Sequence, residues 1–192
     1  MKTLLAISSL LFIATGFSPT LIPEALKLQT AFANLSADPD NKRLQENYIA
    51  AFPTDTKTFL IVFQQEKFDQ LYSESNKYIN ELERCSTSFP EKAMSKCINI
   101  GKNLIWDADA VGELQQISVT LNARYISVFI SLYKNLKNKE QENLIQFYAN
   151  VENHGTYKIY QDLIDKLNSV GQRDISEKLE TARTSRKLQK DH

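Results

Sequence analysis

The chain has 192 residues, 23 of them basic and 23 acidic, so its formal net charge is zero. That balance excludes bulk electrostatic coating of nucleic acid or of an anionic membrane as its working principle. Hydrophobic residues at 42%, aromatics at 10%, and only five Gly and five Pro exclude a disordered polymer and favour long helices over many short strands.

The chain opens on Met1-Lys2 and then runs without charge from Thr3 to Phe17 (TLLAISSLLFIATGF). A basic start, an apolar stretch and small residues after it have the form of a secretory leader. The stretch falls short of the about 20 apolar residues a membrane span needs. An uncleaved anchor helix is disfavoured further by Pro19 and Pro23. Small residues occupy the two positions read by a leader peptidase at Ala14 and Gly16, and again at Ala31 and Ala33. The second pair is the cleaner A-x-A match and is followed from Asn34 by an ordinary polar sequence, which sets the leader at 1–33. A cut after residue 16 is the earlier alternative. No cysteine lies near either point, which rules out a lipid-modified N-terminus. The expectation is a periplasmic or secreted protein with no integral membrane span after leader removal.

Residues 34–192 are long enough for one domain with a substantial core. Asp38 and Asp40 offer caps for a helix over about 41–51, ended by Pro53. Thr54 or Asp55 restarts the chain, and Phe59, Leu60, Val62 and Phe63 cluster at helical spacing. Phe68, Leu71, Tyr72, Ile79 and Leu82 continue that pattern up to Cys85. Pro90 suits a helix first turn. From there to Leu136 no proline intervenes, and Leu114, Ile117, Leu121, Tyr125, Val128, Phe129, Leu132 and Leu136 form one apolar stripe. Ile126, Ile130 and Tyr133 add a second face, so this stretch belongs in the middle of a bundle. Gly101 and Gly112 are candidate breaks within it.

Asn138 with Gln141 reads as a capping box for the next helix, with Gly155 as its stop. Tyr157 to Leu167 is amphipathic and closes at Gly171. Asp174 with Glu177 then starts a charged terminal helix over 172–192, expected to be peripheral. The predicted fold is a single all-α domain, a bundle of six or seven helices.

Cys85 and Cys97 are the only cysteines. In an oxidising compartment they are expected to pair, closing a loop of about 13 residues worth roughly 3 kcal/mol. Their spacing matches neither a redox C-x-x-C nor a zinc pattern, so no metal is expected. His192 is terminal, and His154 sits in Glu152-Asn153-His154-Gly155, where it reads as a helix-end residue. There is no nucleophile elbow, zinc-protease motif or Gly-rich phosphate loop. No catalytic residue and no cofactor are therefore assigned.

The densest polar cluster is Trp106-Asp107-Ala108-Asp109-Ala110-Val111-Gly112-Glu113. Asp109 and Glu113 share a helix face and could hold a cation or act as acid and base, with Trp106 as a platform. The simpler reading makes Asp107 or Asp109 a helix start with an acidic first turn. Tyr48, Phe52, Phe59, Phe63, Phe68, Tyr72 and Tyr78 recur nearby. The phenylalanines read as core, whereas the tyrosines suit either core or interface. The tail carries Arg183, Arg186, Lys187 and Lys190, a solvated basic face.

These features favour an exported, non-enzymatic protein that binds another protein, such as an envelope adaptor or a toxin-neutralising immunity protein. The alternative is a small-ligand binder or hydrolase built on Asp107, Asp109 and Glu113.

Overall fold

The computed structural model describes residues 21–63, 70–104, 110–150 and 154–190, with backbone alone at 154–157 and 186–190. Ten helices lie in these residues and no strand does. They are α1 (Pro23–Ala37), α2 (Lys42–Ala51), α3 (Thr56–Phe63), α4 (Ser75–Cys85), α5 (Pro90–Gly101), α6 (Ala110–Arg124), α7 (Ile126–Lys134), α8 (Asn138–Ala149), α9 (His154–Ser169) and α10 (Arg173–Lys190). A single 3-10 turn, Tyr72–Glu74, leads into α4. The all-α expectation holds, but the helix count exceeds the expected six or seven. None of the ten is long and apolar enough to cross a membrane.

Two places account for the extra helices. The first is α1, which lies largely inside the stretch read as leader. Pro23 opens it without needing a donor, and Ala25, Leu28 and Leu35 are fully buried along one face. The second is the proline-free stretch from Pro90. It breaks after Gly101, as its sequence suggested, and again at Tyr125, whose backbone leaves the helical region. Gly112 breaks nothing and sits inside α6.

Local chemistry sets the other boundaries. Asn41, not Asp38 or Asp40, caps α2: its Oδ1 accepts from the Arg43 and Leu44 amides at 3.1 and 3.3 Å. Asp55 caps α3 by accepting from the Thr58 amide at 2.9 Å. At α8 the box lies one residue earlier than expected, with Glu140 Oε2 accepting from the Lys137 amide at 3.0 Å. Gly155 does not end α8, which stops at Ala149, but belongs to the first turn of α9. Gly171 ends α9 in the left-handed conformation, φ 75°, where the Gln172 amide reaches back to the Leu167 carbonyl.

α6 is the central element, touching α4, α5, α7, α8 and α9. α1 and α2 form a hairpin against α4 on one side, and α8, α9 and α10 close the other. One hydrophobic cluster runs through the whole, from Ala25 to Ala182. The phenylalanine expectation holds for Phe52, Phe59 and Phe63, and Tyr48 and Tyr78 join them as core residues. Tyr48 satisfies its hydroxyl by donating to the Tyr78 carbonyl at 2.6 Å. Phe32 of α1 packs on both rings, 6.2 and 4.9 Å between centroids. Phe68 lies outside the described residues. The terminal helix α10 is charged outside yet buries Ile175, Leu179 and Ala182, and Tyr160 of α9 donates to its Leu179 carbonyl at 2.7 Å.

The expected disulfide is absent: Cys85 and Cys97 are both free and buried. Cys85 is the last residue of α4, and its thiol turns back towards Glu81 Oε1 at 3.9 Å. Cys97 stands seven residues beyond Pro90, about 10 Å further along the α5 axis at 1.5 Å per residue. A disulfide needs the two Cα atoms within about 7 Å. A short turn followed by two helical turns carries the second thiol out of reach.

Candidate functional site

Of the acidic cluster, Trp106, Asp107 and Asp109 lie outside the described residues, and α6 begins directly after them at Ala110. Glu113 is in the first turn of α6, and its Oε2 accepts from Ser75 Oγ at 3.3 Å. Ser75 opens α4 and is buried, so this bond ties the start of one core helix to the start of another. No group of three or more His, Cys, Asp or Glu side chains among the described residues could hold a metal.

The two thiols offer no nucleophile. Burial pushes both up to about 12, with the Glu81 carboxylate adding to the effect at Cys85. A thiol held protonated in an apolar setting is chemically quiet.

Three surface clefts are better formed. One, of about 520 Å³, lies between α8 and α10 and is rimmed by Glu142, Asp174, Glu177 and Lys178. Another, of about 540 Å³, lies between α6 and α9 among Arg124, Asp162, Asp165 and Lys166. Both are ordinary charged seams between solvated helix faces. The third, about 410 Å³, runs along the α1–α2 hairpin and differs in kind: Pro23, Leu26, Ala31, Leu44 and Ala51 line it, and Lys27 is its only charge among the described residues. Leu26 is 52% exposed there, the most exposed of the large hydrophobic residues among those described.

Charge gathers at one end of this groove. Lys96 of α5 donates to the Phe52 carbonyl at 2.7 Å, next to Ala51 where α2 ends. Partial burial, and then the positive charge of Lys27, lowers Lys96 to about 8. The observed ion pairs lie elsewhere, and no carboxylate among the described residues pairs with Lys27 or Lys96. An apolar trough ending in two uncompensated ammonium groups suits an amphipathic segment that brings its own carboxylate.

The groove is hidden from the sequence by the expected leader at 1–33, which covers most of α1. The signal was present: Ala25, Leu28, Phe32 and Leu35 recur at spacings of three and four behind Pro23. Compared with family models, curated proteins and solved structures, the chain matches none.

Proposed function

We propose that this is an exported helical protein, periplasmic or secreted, that works by binding another protein through the α1–α2 groove. The apolar, uncharged N-terminal run supports export. The observation that carries the binding role is the groove itself, with exposed Leu26 on its wall and Lys27 and Lys96 at one end. The occupant is an amphipathic helix of about three turns, since residues 23–34 of α1 cover about 18 Å at 1.5 Å per residue. Its apolar stripe lies against Leu26, Ala31 and Leu44, and an acidic residue at one end meets the two lysines. Leu26 is the natural anchor, because a protruding aliphatic side chain in a trough gains most from burial.

The test is crosslinking in intact cells with the C-terminally tagged chain, followed by mass spectrometry. The expected result is one dominant partner at near-equal stoichiometry. Leu26→Asp should then lose that partner at least tenfold without lowering the melting temperature, because Leu26 supports nothing inside. A partner retained by Leu26→Asp removes the groove from the reading, and a bait that captures nothing in its own compartment removes protein binding altogether.

A further inference from the structure

We infer that the leader ends at Gly16, by hydrolysis of the Gly16–Phe17 peptide bond, and that α1 belongs to the mature protein. This rests on the export reading above and fixes the processing site within it.

Two points in the sequence carry small residues where a leader peptidase requires them, Ala14/Gly16 and Ala31/Ala33. The structure separates them. Ala33 lies inside α1, which continues for another turn to Ala37. A cut there removes Pro23 to Phe32, and with them Ala25 and Leu28, both at 0% exposure. It also removes the Phe32 ring that packs on Tyr48 and Tyr78, and the Ile22 amide that donates to Gln70 Oε1 at 2.6 Å. The aromatic cluster of α2 and α4 would be left open to water along the seam that α1 covers. Such a product discards part of its own core, whereas a leader is built to be discarded.

A cut after Gly16 costs the fold nothing described: Leu21 and Ile22, the first of the described residues, pack against the core and remain attached. Gly16 also lies at the very end of the apolar stretch from Thr3 to Phe17, whereas Ala33 lies 16 residues beyond Phe17. In the reaction one water adds across the amide. Gly16 leaves as the C-terminal carboxylate of the leader, and Phe17 becomes the new N-terminal ammonium.

The full chain, tagged at its C-terminus, is expressed in a bacterium with a secretory pathway, and the extracytoplasmic fraction is analysed by intact mass and N-terminal sequencing. The expected first residue is Phe17. A chain that starts at Asn34, or at any other residue, overturns the inference while leaving export standing. An exported chain that retains Met1 does the same. Full-length protein confined to the cytoplasm instead overturns the export reading itself. Two substitutions sharpen the result: Gly16→Leu should accumulate the precursor at least tenfold over wild type. Ala33→Leu, on an exposed position of α1, should leave processing unchanged. Loss of processing in Ala33→Leu alone reverses the assignment.

Discussion

Gly101, at the end of α5, packs directly against side chains of α8. A Cβ built on it would lie 2.7 Å from Cδ1 of Phe147 and 3.2 Å from Leu144 Cδ1. Both neighbours are fully or almost fully buried and have nowhere to retreat. Gly101→Ala should therefore destabilise the protein by about 1–3 kcal/mol through overpacking, read as a lower melting temperature. The small helix-propensity gain of alanine does not offset this at the last residue of a helix. Gln115 of α6 does a different job nearby: its buried Nε2 donates to the Phe147 carbonyl and, at 2.9 Å, to the Asn150 carbonyl, tying down the end of α8. Gln115→Leu keeps the volume and removes both bonds, which should cost about 1–3 kcal/mol. Urea unfolding should show a lower midpoint with an unchanged slope.

At the scale of elements, what was legible in the sequence is what depends on neighbours three or four residues apart. Pro90 opening α5, Asp55 capping α3 and Gly171 closing α9 are all local signals, and all appear where the chain announces them. The Asn138 and Gly155 assignments missed by one and several residues: Glu140 places the cap at Lys137, and the backbone already leaves the helix at Asn150, whose carbonyl Gln115 holds from a distant helix. The missing disulfide failed for a geometric reason: a count of intervening residues ignores the rise of α5. Three of the four residues of the acidic candidate site, Trp106, Asp107 and Asp109, lie outside the described residues; the fourth, Glu113, bonds to Ser75. The groove is not legible in the sequence because it needs α1 and α2 side by side, and the expected leader covers most of α1. α1 supplies the prediction at this scale. A chain beginning at Asn34 loses two fully buried aliphatic residues and the Phe32 ring. At about 1.5–3 kcal/mol per large buried side chain, it should be several kcal/mol less stable than one beginning at Phe17. Circular dichroism melts of the two purified chains decide the matter, and equal melting temperatures would make α1 an accessory.

For the molecule as a whole, stability above neutral pH is set by groups the core holds away from water. Cys85 and Cys97 are pushed up from about 9 to about 12 by burial. Between those values the unfolded chain gives up two thiol protons that the folded chain keeps, so folding loses stability as pH rises, by up to about 1.4 kcal/mol per pH unit for each thiol. Lys96 works in the opposite direction. Its folded value, about 8, lies below the ordinary 10.5, so between 8 and 10.5 the unfolded chain binds the extra proton and stability rises with pH. The two effects overlap from 9 upward, where two thiols oppose one amine. Denaturant stability should therefore hold or rise slightly from pH 8 to 9 and fall beyond it. Lys96→Met should abolish the rise, and a Cys85→Ala/Cys97→Ala variant should flatten the fall between about pH 9 and 10. Beyond that the phenols of Tyr48, Tyr133, Tyr148 and Tyr160, which burial also pushes up, carry the fall on. The same protonated thiols make the folded chain indifferent to its redox surroundings. Titration with a thiol reagent at pH 8 should find almost no reactive cysteine in the native protein and two after unfolding, and a reductant should leave the melting temperature where it was. A reductant-dependent drop in melting temperature would mean that the thiols do meet, and that α4 and α5 pack differently from the arrangement described.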